Sequence, residues 1–272
     1  MSRVTAAFDA ARTAQRMAFM PFVTAGDPDL ATTSEVLLAL RDARVDLIEL
    51  GFPYSDPIAD GPVIQASYTR ALDRHVSVHG IFDMMRGLRS QGLPPVLAMV
   101  SYAIIFRYGI AEFAADAQEA GFNGLIVPDL PADEADELTR VAKGRELDLI
   151  QLIAPTTTKE RTQQILNAST GFLYCISVAG TTGVRKELPL ELTQQLRSLR
   201  AQTKLPLAVG FGISSPDQVP GLAGVADGII VGSAMVRRIA EAKTAADAAT
   251  AVKAFAHEML AAANKAKPSL SQ

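Results

Sequence analysis

A chain of 272 residues that is 49% hydrophobic and 20% charged holds enough apolar mass for a sizeable core. Its 26 Lys plus Arg against 29 Asp plus Glu leave a net charge of -3. That balance lacks the cationic surplus on which phosphate-backbone binders depend, so nucleic acid is not an expected partner. The single cysteine, Cys175, cannot form an internal disulfide or a thiolate metal cage, which points to a reducing, cytoplasmic setting.

In chain order, residues 1–16 place Val4, Phe8 and Ala11 at helical spacing and contain no continuous apolar segment of the signal-peptide kind. A helix covering the bottom of the following structure is expected, and no signal peptide. Eight apolar runs then recur at 19–26, 46–53, 95–102, 124–130, 148–155, 171–178, 206–213 and 228–235. Each is nearly continuous in aliphatic residues rather than alternating, as parallel strands covered on both faces are. The most apolar stretch, 93–106, is broken by Pro94, Pro95 and Ser101 and is shorter than the roughly 20 residues of a membrane span. It reads as a buried strand followed by the start of a helix, and no membrane association is expected.

Between the runs lie helical patterns at 29–44, 131–146, 159–167, 188–200 and 214–223, with two more, 62–72 and 78–90, in the long gap after the second strand. An Ala-rich tail from 234 to 263 reads as the last helix, and 264–272 as a frayed end. Eight strand–helix units without a low-complexity linker predict an α/β fold. The expectation is a single (β/α)8 TIM barrel spanning 1–272, with an extra N-terminal helix and an inserted helix after strand 2. No GxGxxG follows the first strand, which disfavours a dinucleotide-binding sheet.

In such a barrel, chemistry sits at the C-terminal ends of the strands and the loops after them. Glu49 lies near that end of an otherwise apolar second strand. It is either a structural carboxylate satisfied by hydrogen bonds or a general acid/base whose pKa burial raises. The loop after it, Phe52-Pro-Tyr-Ser-Asp-Pro-Ile-Ala-Asp-Gly-Pro62, is stiffened by three prolines and carries Asp56 and Asp60. Asp60 could cap the next helix, or pair with Glu49 over the barrel mouth as a second carboxylate with a separable role. Glycines cluster at three neighbouring strand ends, in Gly180-Thr-Thr-Gly183, Gly210-Phe-Gly212 and Gly232-Ser-Ala-Met235. They either ease tight turns or offer backbone N–H groups to a phosphate. No lysine stands at a catalytic strand end, because Lys204 precedes the seventh strand. His75 and His79 have no third metal ligand close in sequence, Ser177 lacks a nucleophile elbow, and Cys175 reads as a small core residue. No metal site is expected.

The stretch Leu47-Ile-Glu-Leu-Gly-Phe-Pro-Tyr-Ser-Asp-Pro-Ile-Ala-Asp-Gly-Pro62 resembles the signature of the tryptophan synthase alpha subunit family. Met20-Pro-Phe-Val-Thr-Ala-Gly-Asp-Pro28, Val127-Pro-Asp-Leu-Pro131, Leu152-Ile-Ala-Pro-Thr156, Gly210-Phe-Gly-Ile-Ser214 and Val231-Gly-Ser-Ala234 are similar to further family segments, in order along the barrel. The resemblance implies cleavage of indole-3-glycerol phosphate to indole and glyceraldehyde 3-phosphate without a cofactor in this chain. By the same matching, Glu49 would move the protons and Asp60 would accept a hydrogen bond from the indole N–H. Phe22 and Tyr174 would line the pocket. Thr182 and Gly183 would belong to a closing loop that also positions Asp60. Phe211, Gly212, Gly232 and Ser233 would complete the substrate site at its phosphate end. A pyridoxal-phosphate beta subunit is the implied partner, in an αββα assembly, facing Pro53, Asp56, Asp129 and Pro131. After Tyr102 this chain has Ala103 where the family often has Asn, which removes an amide from that face. The resemblance leaves two alternatives: a stand-alone indole-3-glycerol-phosphate lyase, and a regulatory phosphate-binding barrel subunit.

Overall fold

In the computed structural model, residues 1–57, 60–176, 190–210 and 212–269 are described. The strands are β1 (Ala18–Thr24), β2 (Ile48–Gly51), β3 (Val96–Met99), β4 (Gly124–Ile126), β5 (Asp148–Ile150), β6 (Leu152–Ile153), β7 (Leu173–Ile176), β8 (Leu207–Gly210) and β9 (Gly228–Val231). They pair in parallel in the order β5-β4-β3-β2-β1-β9-β8-β7-β6. The two ends of that order, β5 and β6, are successive pieces of one run separated only by Gln151. The sheet therefore curls into a barrel with its seam at Gln151. The fifth expected strand, 148–155, is thus two short pieces, one pairing with β4 and the other with β7.

Alternation sorts each strand's side chains between two layers. Met20, Phe22, Leu97, Met99, Ile126, Ile150, Tyr174, Ala208 and Ile230 fill the barrel interior. Phe19, Val23, Ile48, Leu50, Val96, Ala98, Leu125, Cys175, Val209 and Ile229 face the surrounding helices. Both layers are buried, which is why the strands read as unbroken apolar runs.

The helices are α1 (Arg3–Thr13), α2 (Leu30–Asp42), α3 (Pro62–Asp73), α4 (Val78–Leu88), α5 (Tyr102–Tyr108), α6 (Ile110–Glu119), α7 (Asp136–Gly144), α8 (Lys159–Ala168), α9 (Leu190–Arg200), α10 (Ser233–Glu241) and α11 (Ala245–Ala263). Local chemistry starts several of them. The side chains of Ser2, Asp29, Ser77, Thr158 and Thr244 each accept a backbone N–H of the first turn that follows. As expected, α1 buries Val4, Phe8 and Ala11, and the Phe8 ring lies 5.3 Å from that of Phe172 at the N-terminal end of the barrel.

Three helix expectations are corrected. The tail 234–263 is two helices, because α10 stops at Glu241, Ala242 is extended, and Thr244 caps a new start. The segment 214–223 is a 3-10 helix over Pro216–Leu222, since Pro220 has no N–H to give an α-helical ladder. In 131–146 the helix begins only at Asp136. Pro131 instead accepts a turn bond from Glu134 N–H, and Ala135 supplies no side-chain cap. Among the described residues, no helix is long and apolar enough to cross a membrane.

Candidate active site

Glu49 follows from the alternation of β2. Ile48 and Leu50 face the helices, so the side chain between them enters the barrel interior, in register with Phe22 of β1 and Leu97 of β3. It is 1% exposed, and neither carboxylate oxygen has a hydrogen-bond partner among the described residues. A structural carboxylate would be satisfied by its neighbours, and this one is not. Burial, reinforced by the negative charge of Asp60, raises its pKa from the ordinary 4.5 to about 8.

Asp60 sits where the loop from β2 enters α3. The helix is capped by Gly61 with no side-chain cap bond, and Pro62 opens it, so the Asp60 carboxylate is not consumed in capping. Its backbone does the structural work: the N–H donates to Pro57 O at 3.1 Å, and its carbonyl accepts from Gln65 Nε2 at 2.8 Å. Gln65 also donates to Pro57 O at 3.1 Å and so ties the loop to α3. Partial burial pushes the Asp60 pKa up to about 6.

The aromatic walls need room that two glycines supply. A Cβ on Gly51 would stand 2.5 Å from Phe22 Cζ and 2.9 Å from the Tyr68 hydroxyl. On the opposite wall, a Cβ on Gly210 would stand 2.5 Å from the Tyr174 hydroxyl. Gly210 is therefore explained by the Tyr174 ring rather than by an anion. Gly232 opens toward the same space, since a Cβ there would lie 3.8 Å from both Ile64 Cδ1 and Phe22 Cβ. It begins α10, whose first turn has no side-chain cap and whose first residue, Ser233, is exposed. Uncapped N–H groups and the helix dipole thus face the mouth, an arrangement suited to an anion. Gly212 has a φ of +90°, which favours glycine, and its carbonyl accepts from Gln218 Nε2 at 3.0 Å. Thr182, Gly183 and Phe211 lie outside the described residues.

The residues assigned to a partner face separate in kind. Asp56 is exposed, whereas Pro53 is buried within the chain. Asp129 accepts from Ser101 Oγ at 2.6 Å and from Tyr102 N–H at 2.8 Å, which holds the start of α5. Pro131 is half-buried in the following turn. Phe106 of α5 is 69% exposed, and Ala103 is exposed on the same short helix. His79 Nδ1 lies 3.1 Å from the Tyr108 hydroxyl, and His75 ends α3 with a φ of +57°. Among the described residues, no group of three metal-ligating side chains occurs. Cys175 is buried in β7 as a core residue.

A family model described as "Tryptophan synthase alpha chain" matches residues 8–264. The chain belongs to the tryptophan synthase alpha chain family. The family member from Rhodopirellula baltica is 47% identical over 264 residues, covering 95% of each chain. The crystal structure of tryptophan synthase subunit alpha from Legionella pneumophila is 37% identical with a TM-score of 0.89, covering 97% of this chain and 99% of that one. A ligand-free structure of tryptophan synthase from M. tuberculosis is 32% identical with a TM-score of 0.87, covering 97% of this chain and 100% of that chain. The family's alpha reaction is the cleavage of indole-3-glycerol phosphate, a carbon–carbon lyase step in tryptophan biosynthesis.

Sequence reasoning missed Tyr68 and Gln65. Tyr68 falls one turn after Ile64 on the buried face of α3 and so reads as ordinary core, and Gln65 reads as a solvent-facing residue. It also missed the ion pair of buried Asp27 with partly exposed Arg70, whose two nitrogens donate at 2.8 and 2.7 Å. That pair fastens the loop after β1 to α3.

Proposed function

We propose that Glu49 and Asp60 carry the alpha reaction in this chain as a divided pair, one carboxylic acid and one carboxylate. The carrying observation is the separation of their pKa values, about 8 and about 6, at one barrel mouth. Between those values Glu49 holds a proton while Asp60 is ionised. Glu49 gives its proton to C3 of the indole ring, and the positive charge this creates spreads to the ring nitrogen. Asp60 accepts the ring N–H and stabilises that charge. The Glu49 carboxylate then takes the proton of the side-chain hydroxyl. The carbon–carbon bond breaks, its electron pair returns to the ring, an aldehyde forms, and Glu49 is again protonated.

Phe22 and Tyr174 enclose the ring, and the backbone N–H groups of Gly212, Gly232 and Ser233 hold the phosphate against α10. Thr182, Gly183 and Phe211 are assigned to substrate binding on the family resemblance alone. We read residues 1–272 as one domain acting in the cytoplasm, with no cofactor of its own. Its partner is a pyridoxal-phosphate beta subunit in an αββα assembly, which consumes the indole. Asp56, Asp129, Pro131 and the exposed Phe106 of α5 offer the facing surface, and Pro53 shapes it from within.

The test is indole release from indole-3-glycerol phosphate by the purified chain, with and without a pyridoxal-phosphate beta subunit. Slow release that rises strongly with the partner is expected. Fast release alone would make this a stand-alone lyase, and none under either condition would make it a regulatory subunit.

A further inference from the structure

We propose that Tyr68 is a positioning residue for Asp60, its hydroxyl donating to the Asp60 carboxylate in the substrate-bound site and aiming it at the substrate's ring N–H. This rests on the role given to Asp60 above.

Tyr68 lies on α3, the helix that Asp60, Gly61 and Pro62 lead into. Helical side chains tilt toward the N-terminus of their helix, so the Tyr68 side chain leans toward the end that carries Asp60. Its ring is held by Tyr54 of the same loop, with centroids 5.5 Å apart and planes 49° apart. Its hydroxyl stands over Gly51, 2.9 Å from where a Cβ would be. Gly51 shares a face with Glu49 and lies one layer closer to the mouth, where the chain departs toward Asp60.

Two unmet needs coincide there. Tyr68 is 1% exposed, yet its hydroxyl has no hydrogen-bond partner among the described residues. The Asp60 carboxylate likewise accepts no bond among them, since only its backbone atoms are engaged. A buried phenol normally finds an acceptor, and a carboxylate that must stay ionised needs a donor.

Four titratable groups crowd this mouth: Glu49 from β2, Tyr54 from the loop, Tyr68 from α3 and Tyr174 from β7. Asp60 acts on the Tyr68 phenol more strongly than Glu49 does. Tyr54 is half-exposed and has water as an alternative partner, and Tyr174 lies on the opposite wall over Gly210. Glu49 is the wrong recipient chemically, because a donor would favour its ionised form when catalysis requires its proton. Once substrate displaces water, Tyr68 is, among the described residues, the buried donor left to Asp60.

The experiment compares wild type with Tyr68→Phe, which keeps the ring and its packing. Steady-state indole release is followed across pH. In parallel, the Asp60 carboxyl is titrated by carbon NMR with indole and glycerol 3-phosphate present. The variant should lose roughly tenfold in kcat with little change in KM, and its acidic limb and Asp60 titration should both rise by about one pH unit. A purely structural role would leave both titrations in place. Unchanged Asp60 titration in Tyr68→Phe overturns the proposal, as does the same shift appearing in Tyr54→Phe instead. The NMR arm needs no turnover, so an inactive wild type would count against the functional reading alone.

Discussion

At position 49 the alternation of β2 leads into the barrel interior, where an aliphatic side chain would have packed without cost. The carboxyl there instead has no partner among the described residues, and the cost of that choice is readable in pH. The folded pKa of Glu49, about 8, lies above its ordinary 4.5. The folded chain therefore binds a proton more tightly than the unfolded chain. The associated stability is fully present below pH 4.5 and drains away as pH rises through about 8. Glu49→Gln removes the titration and keeps the size. It should cut kcat by about 10²–10⁴-fold while retaining glycerol 3-phosphate binding by calorimetry. At pH 9 the variant should also unfold at higher urea than wild type, and a lower midpoint would contradict the assigned burial cost.

The same pair predicts the shape of the pH–rate profile. The proposed mechanism requires ionised Asp60 and protonated Glu49, so it predicts a bell-shaped kcat/KM with limbs near 6 and 8. The two groups interact, so the limbs belong to the pair as well as to each residue. A profile flat from pH 5 to 9 would remove the divided-pair mechanism.

At the scale of elements, the strand starts share a device. Asp46 before β2 accepts Phe19 N–H at 2.9 Å and pairs with Arg16 at 2.6 and 2.7 Å. Asn123 before β4 accepts Val96 N–H at 3.1 Å and Arg3 at 3.3 Å. Asp227 before β9 accepts Leu207 N–H at 2.8 Å and pairs with Arg200. In each case an acceptor before one strand takes an N–H at or next to the start of its neighbour, and an arginine neutralises or orients it. Asp148, at the start of β5, departs from the pattern, for it is 8% exposed and its Oδ2 has no partner among the described residues. The two kinds should respond oppositely. Asp46→Ala leaves Arg16 and Phe19 N–H unpaired and should cost about 3 kcal/mol in urea unfolding. Asp148→Asn replaces a buried carboxylate that has an unpartnered oxygen with an amide of the same size and should raise the urea midpoint.

For the molecule as a whole, the barrel is closed at one end by α1. Val4, Phe8 and Ala11 are buried there with Ala18 and Phe172, and Phe8 lies close against Gly228. The mouth beside Glu49 and Asp60 is at the other end of the same strands. Deleting residues 1–13 should uncover this bottom layer and cost on the order of 1.5–3 kcal/mol for Phe8 alone. The urea midpoint should fall sharply, and a midpoint equal to wild type would show that α1 is not part of the core.

Much of this was legible in the chain itself. A parallel barrel buries both faces of every strand, so eight aliphatic runs separated by helical patterns specify its layers before any contact is known. A charged residue inside such a run has few places to go, which is why Glu49 and the proline-stiffened path to Asp60 stand out in one dimension. Local signals that compete were less readable: Thr244 breaks the final helix and Pro220 tightens another because capping and missing donors outweigh a continuous apolar pattern. Only the tertiary structure decided the rest. Tyr68 is an ordinary core aromatic by spacing, and Gly51 an ordinary strand glycine. Folding brings the hydroxyl of one over the missing Cβ of the other. The free state of Asp60, with Gly61 as the cap, was decided in the same way. Whether a polar atom has a partner depends on which distant segments fold against it, and no periodicity along the chain encodes that.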